Sequence, residues 1–277
     1  MQIKEWTQIN HNTQLDVGLL HARFVQHVYP RHSHEYYVIS LIAKGRQSFS
    51  HKGSKYTTPP GGVILINPEE VHTGEAVDEL GFELRSIYPT ISHMKMAMSE
   101  LTGRSQRLPI FTHVRVDDPL AARNILALHK AILGGADVME SESLFIHTLA
   151  QLIKRYGGTP SIEQKLGNEK QVIQKARRHI DEHFAEGVSL SLLAQHVSLS
   201  PYYLLRAFCA EVDMPPYAYL ESVRVQHTQR LIEAGKPLAE IAAEVGYSSQ
   251  SHMTHRFKKV IGVTPGQYAQ QIRDSSA

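Results

Sequence analysis

The chain has 277 residues, 42% hydrophobic and 20% charged, with a formal net charge of +2 and one cysteine, Cys209. That length suffices for two domains with separate cores. No apolar run approaches the ~20 residues of a membrane span, the opening Met1-Gln2-Ile3-Lys4-Glu5-Trp6 lacks the basic-then-apolar pattern of a secretory signal, and a lone cysteine excludes an internal disulfide, so a reducing, cytoplasmic location is expected.

The first part of the chain reads as short strands. Leu20, Ala22 and Phe24 alternate with His21 and Arg23 in a strand opening near Leu19. Tyr36 to Lys44, β-branched and aromatic, predicts a buried strand ending at Gly45. Arg46 to Thr58 predicts a hairpin turning at Lys52-Gly53. After the Pro59-Pro60-Gly61-Gly62 break, Val63 to Ile66 is a strand, Asn67-Pro68 turns it, and Gly81 to Tyr88 is another. Many short strands divided by Gly/Pro turns point to a sandwich or barrel.

The period then changes. After Asp117-Asp118-Pro119, apolar residues at Ala121, Ile125, Leu128 and Ile132 form a helical stripe that Gly134-Gly135 stops. Phe145, Leu149, Leu152 and Tyr156 form a second stripe, which suits internal packing or a dimer interface. Gly157-Gly158-Thr159-Pro160-Ser161 opens a linker expected over residues 157–168, and everything beyond about Glu169 reads as helical. The division expected is 1–156, linker 157–168, and 169–277.

The helical part repeats itself. Ala194, Val197 and Ser200 recur 48 positions on as Ala242, Val245 and Ser248. Leu204, Phe208, Val212, Pro216, Tyr219 and Arg224 recur 49 positions on as Met253, Phe257, Ile261, Pro265, Tyr268 and Arg273, so one residue is inserted between Ser248 and Met253. In the first copy, Ser189 caps a helix through Leu190, Leu193, Ala194 and Val197; Ser198-Leu199 turns, and Ser200 caps a second helix with Pro201 at its first position. There Leu204, Phe208 and Val212 face the core, Tyr202 and Arg206 lie opposite with Cys209 near them, and Leu205 is on the flank. In the second copy Met253, Phe257 and Ile261 face inward, Ser251, His255 and Lys258 face out, Thr254 is on the flank, and His252 is on the other edge.

A short helix, a tight turn and a second helix with a polar outer face make a helix-turn-helix, whose second helix enters the DNA major groove. Arg206 suits a fork onto guanine and Gln250 a pairing with adenine. Lys258 and Lys259 suit phosphates. Pro216 to Ala234 predicts one helix of roughly 28 Å between the copies, near the ~34 Å between successive major grooves on one face of DNA. The charge balance from Glu169 onward, twelve Lys+Arg against eleven Asp+Glu, gives no basic excess, so DNA binding rests on where the charges sit.

Leu190 to Tyr268 resembles the DNA-binding domain of AraC/XylS-type transcription regulators, through Ile241-Ala242-x-x-Val245-Gly246-Tyr247-Ser248 and Phe257-Lys258-Lys259-x-x-Gly262-x-Thr264-Pro265-x-x-Tyr268. The resemblance implies two helix-turn-helix units reading adjacent major grooves of double-stranded DNA. The positions expected at the DNA are Tyr202, Leu205, Arg206, Gln250, Ser251, His252, His255 and Lys258, with RNA polymerase a further candidate partner. The sequence departs from the family where Ser198 and Asp213 stand opposite Gly246 and Gly262, where Cys209 stands opposite Lys258, and where His255 replaces a frequent arginine.

His32-Ser33-His34-Glu35 precedes a strand and Pro68-Glu69-Glu70-Val71-His72 follows another. This resembles the cupin fold, where such histidines with a glutamate hold a metal. The usual glutamate falls near Val38 or Ile39, which cannot ligate, and Glu35 has the wrong parity, so a metal is not the expectation although a three-histidine site stays chemically possible; no cofactor or catalytic residue is expected. The family resemblance implies instead a cupin-like barrel holding a small effector, with His32, His34, Tyr36 and His72 lining the pocket. The expected architecture is an all-β cupin-like barrel with trailing dimerisation helices, then an all-α double helix-turn-helix domain. The expected function is that of a homodimeric, effector-controlled transcription regulator. Its rivals are a metal-dependent cupin enzyme with a helical tail and an architectural DNA-binding protein whose barrel only dimerises.

Overall fold

The computed structural model describes residues 4–102, 108–158, 169–261 and 263–275, with side chains to residue 270. Between Trp6 and Tyr88 the chain forms strands β1 (Trp6–Asn12), β2 (Val17–Phe24), β3 (Tyr29–His32), β4 (Val38–Gly45), β5 (Gln47–His51), β6 (Ser54–Thr58), β7 (Val63–Ile66), β8 (His72–Ala76) and β9 (Phe82–Tyr88). Helix α1 (Ile91–Thr102), the two-residue β10 (Arg115–Val116), α2 (Pro119–Leu133) and α3 (Val138–Tyr156) follow. The strands make two antiparallel sheets, ordered β1-β2-β9-β4-β7-β10 and β3-β8-β5-β6. This is the expected cupin-like barrel.

Alternation decides which side chains fill it. Leu20, Ala22 and Phe24 of β2, Val38 and Ile42 of β4, Phe49 of β5, Ile64 and Ile66 of β7, and Phe82 and Leu84 of β9 form one buried cluster. The β5–β6 hairpin turns where expected, with positive φ at Lys52 (47°) and Gly53 (82°), the pair of left-handed residues that a tight hairpin needs. Asp118 caps α2 by accepting from the N–H groups of Leu120 and Ala121, and Gly134 closes it. Helix α2 packs on β4 and β9, burying Ala121, Ile125, Leu128, His129 and Ala131.

His129 is fully buried, its Nε2 2.9 Å from the carbonyl oxygen of Ser86 on β9 and its Nδ1 without a partner. Burial pushes its pKa down to about 4, a fall that the Ser86 bond only partly offsets. A depressed histidine pKa means that the unfolded chain binds the extra proton. Its contribution is therefore complete above about pH 6.5, and up to about 3 kcal/mol of it is lost as the pH falls towards 4. Urea unfolding of wild type and His129→Gln between pH 7 and 4.5 should show a shallower pH slope in the variant. Equal slopes would remove His129 from the account.

By its contacts the chain divides into two compact units, Met1–Asp137 with Leu144–Lys165, and Val138–Ser143 with Leu166–Ala277. The expected linker begins at Gly157, which caps α3, but residues 159–168 lie outside the described residues. The second unit continues with α4 (Lys170–His183), α5 (Leu190–His196), α6 (Pro201–Val212), α7 (Pro216–Glu233), α8 (Leu238–Glu244), α9 (Gln250–Ile261) and α10 (Pro265–Ser275). Ser189 accepts from the N–H of Leu192 and Ser200 from that of Tyr203, capping α5 and α6 as the sequence requires.

The duplication is physical as well as sequential. Phe208 meets Tyr219 edge-on at 5.7 Å, and Phe257 meets Tyr268 edge-on at 5.6 Å, the same contact in each half. Both helix-turn-helix turns pass through a left-handed residue, Ser198 (φ 56°) and Gly246 (φ 82°). Leu199 N–H then bonds the Ala194 carbonyl, as Tyr247 N–H bonds that of Ala242. The cap of α9 is Ser249, whose Oγ accepts from the His252 N–H, so the inserted residue sits in the turn just ahead of the helix.

Candidate functional site

Two places gather polar side chains that the fold itself does not require. The first is a cavity of about 80 Å³ between the two sheets, which opens to solvent. Leu20, Val38, Ile64, Ile66 and Leu84 supply its apolar wall, with Phe49, Tyr29 and Tyr88 as aromatic surfaces. Ser40, Gln47, Thr73 and Ser86 join His32, His34 and His72 as its polar groups.

The histidines converge from separate elements. His32 ends β3, His34 lies in the loop beyond it, and His72 opens β8, paired across the sheet with both His32 and His51. Their ring centres are 4.4 Å (His32–His72), 4.8 Å (His32–His34) and 5.3 Å (His34–His72) apart. His32 Nδ1 is 2.7 Å from the Pro30 carbonyl and His72 Nδ1 is 3.0 Å from that of Glu70. Each Nδ1 thus donates to backbone, which leaves Nε2 as the unprotonated nitrogen.

Burial, with the neighbouring His32 and His72, takes the His34 pKa down to about 4. Burial likewise lowers that of His72, against the opposing Glu70 hydrogen bond. Glu70 anchors this corner: its carboxylate meets His51 Nε2 at 2.9 Å and Lys52 Nζ at 2.5 Å. Desolvation pushes the Glu70 pKa up, but these bonds hold it below the ordinary value.

Tyr36, expected in the lining, stands behind it. Its ring stacks on His34 at 4.8 Å and leans on Tyr88 at 5.2 Å, so it fixes the histidine ring and does not face the cavity. Sequence reasoning missed Gln47, which is largely buried, with an Oε1 that has no hydrogen-bond partner. It also missed the Ser40 and Ser86 hydroxyls, 2.6 Å apart across β4 and β9. The signal was present: polar residues at inward positions of otherwise apolar strands.

The second place is the outer surface of the paired helices. On α9, Met253 and Phe257 are buried, while Gln250, Ser251, His255 and Lys258 are all exposed, as expected. His252 is engaged instead with its own unit. Its Nδ1 is 3.1 Å from Ser248 Oγ, its Nε2 accepts from Arg256 Nε at 3.2 Å, and its ring meets Tyr247 edge-on.

On α6 two expectations fail. Tyr202, placed outward by the helical wheel, and Leu205, placed on the flank and expected at the DNA, are 3% and 5% exposed. The physical reason is their own apolar character. Leu205 adjoins Phe208 on one side of the core face and Ala207 adjoins Leu204 on the other, so burial extends around α6 as far as Tyr202, in a unit that also contains Val138–Ser143. Within this unit Glu142 accepts from Ser191 Oγ at 3.0 Å and Glu140 pairs with Arg256. Arg206 remains half-exposed, its guanidinium carbon 5.7 Å from the centre of the Tyr202 ring.

Both parts of the chain match known families. Residues 14–149 match the family model of the AraC-like ligand binding domain and residues 193–271 that of a helix-turn-helix domain. The HTH-type transcriptional regulator YbfI of Bacillus subtilis (strain 168) is 33% identical over 226 residues, 81% of each chain. The HTH-type transcriptional activator RhaS of Klebsiella pneumoniae (strain 342) is 24% identical over 254 residues, 89% of each. Among solved structures, the C-terminal domain of AraT, a response regulator from Geobacillus stearothermophilus, is 30% identical, covering 39% of this chain and 88% of that one with a TM-score of 0.36. With a sheet-lined cavity in its N-terminal part and twin helix-turn-helix units in its C-terminal part, the chain belongs to the AraC type of DNA-binding transcription regulators and is not an enzyme.

Proposed function

We propose that this regulator reads DNA mainly through the exposed face of α9, with Gln250, Ser251 and His255 at base edges and Lys258 at phosphate. Arg206 is the base-reading residue of α6, and Tyr202 supports its guanidinium from behind. The observation that carries this reading is the shared outward row of Gln250, Ser251, His255 and Lys258 on a helix whose opposite face is buried. The small-molecule effector binds in the barrel cavity against His32, His34 and His72, and Tyr36 keeps His34 in place. In the reading we favour, the protein is a cytoplasmic homodimer that presents two protomers to paired DNA sites. Its functional segments are 1–156, 157–168 and 169–277, and RNA polymerase is its candidate partner at promoters.

Fluorescence anisotropy on specific and random duplexes tests the DNA assignment. Arg206→Ala should weaken specific binding by about 1–3 kcal/mol and leave random-sequence affinity nearly unchanged. Equal losses on both duplexes would remove Arg206 from base reading. Lys258→Ala should lower the slope of log K against log salt by about 0.9. An unaltered slope would refute the phosphate contact.

A further inference from the structure

We propose that His32, His34 and His72 form a site for one divalent first-row transition metal ion of zinc-like ligand preference, with coordination positions open towards the cavity. All three rings offer a nitrogen, and these nitrogens lie within 4.8 Å of one another. Three imidazoles sharing one tetrahedral ion at the usual Zn–N distance of about 2.0–2.1 Å hold their ring centres about 5 Å apart. The observed separations, 4.4, 4.8 and 5.3 Å, straddle that value, so side-chain adjustment alone brings the nitrogens onto an ion.

The outer contacts suit ligation. The Nδ1 groups of His32 and His72 are spent on the carbonyl oxygens of Pro30 and Glu70, which orients each ring and raises the basicity of the free Nε2, as in metal sites generally. Tyr36 stacked on His34 fixes the third ring. Among the described residues no carboxylate joins them, and Val38 lines the cavity where a glutamate would stand. The donor set is therefore three neutral imidazoles, which favours zinc, cobalt, nickel or iron(II) over calcium or magnesium. In the same wall, the partnerless buried Oε1 of Gln47 is an acceptor suited to a metal-bound water, which must donate. The proposal concerns the cavity assigned to the effector but stands on ring geometry, so it does not depend on DNA recognition or on any organic ligand.

The test is titration of chelator-treated, tag-free full-length protein with cobalt(II), then zinc(II), followed by visible absorption and calorimetry without DNA or metabolite. One equivalent of cobalt should bind, with the intense visible bands of a low-coordinate nitrogen site, and zinc should displace it. His34→Ala and His72→Ala should each weaken binding at least tenfold. His179→Ala, which breaks up the stacked surface pair His179–His183 (ring centres 4.2 Å apart), should change nothing. Absence of saturable uptake overturns the proposal, as does uptake that survives His34→Ala or disappears with His179→Ala. Should the cavity variants fail to fold, the wild-type cobalt spectrum decides: featureless weak bands of a hydrated octahedral ion count against the site. Stabilisation by a metabolite alone, with no metal uptake, would sink the metal site and leave the effector reading intact.

Discussion

Gly246→Ala should destabilise the helix-turn-helix unit by about 3 kcal/mol and abolish DNA binding through loss of the fold. Two costs add. Gly246 has φ 82°, where an L-residue loses roughly 1–2 kcal/mol. A Cβ there would also stand 2.5 Å from the carbonyl oxygen of Ala185, a backbone atom that no rotamer change can move aside. In a unit of this size that corresponds to a fall in Tm of roughly 10–20 °C. Circular dichroism melting of the full chain would check it, and a Tm within two or three degrees of wild type would refute the packing argument. The first copy supplies the reverse experiment. Ser198 occupies the equivalent turn at φ 56° and is exposed, so Ser198→Gly should stabilise by about 0.5–1 kcal/mol.

That pair of turns also shows what was legible in the sequence. The repeat placed both helix-turn-helix units because burial requires the same apolar spacing in each, and Phe208–Tyr219 and Phe257–Tyr268 duplicate one aromatic contact. Ser198 and Asp213, flagged as substitutes for glycine, both have positive φ. Capping serines, the Lys52-Gly53 hairpin and the α2 stripe were local signals and appear where expected.

Elements whose stability comes from partners were not legible. Strand β1 is mostly exposed and shows no buried alternation, so only its seven residue pairs with β2 make it a strand. Strand β3 carries Pro30, tolerable because β3 is the edge of its sheet. Helix α1 and the two-residue β10 likewise went unplaced.

The cavity shows the same limit. His32 and His34 are neighbours in sequence, yet His32 ends β3 and His34 lies in a loop, and they meet His72 through the pairing of β3 with β8. The family resemblance implies Tyr36 in the pocket lining, whereas ring stacking on His34 places it behind the histidines. On α6 the helical wheel gives the right core but the wrong exposure for Tyr202, and Leu205 on the flank is covered as well, because periodicity reports which face is most apolar and not how many faces are covered.

The junction that holds the two reading helices in register depends on one buried cation, and Arg224→Ala should be the most damaging substitution on α7. Arg224 is 3% exposed. Its Nε donates to the Phe184 carbonyl at 2.8 Å and an Nη to that of Glu186 at 3.2 Å, at the C-terminal end of α4, where orphan carbonyls and the helix dipole favour a positive charge. The guanidinium also lies 5.6 Å from the centre of the Tyr247 ring, and Tyr247 OH donates to Glu221 on α7 at 2.6 Å. The end of α4, the connecting helix and the turn of the second copy thus meet at one side chain, against the same Ala185 backbone that Gly246 approaches. Hydrogen bonds to charged groups contribute about 1.5–3 kcal/mol each, so losing two of them and the buried guanidinium's packing should make Arg224→Ala cost about 3–5 kcal/mol. Arg224→Lys keeps the charge but cannot fork to two carbonyls and stack on an aromatic ring at once, so it should recover only part of the loss. Urea unfolding resolves the two variants. A loss below about 1 kcal/mol in Arg224→Ala, or full recovery in Arg224→Lys, would show that the register of the two readers is set by apolar packing along α7 alone.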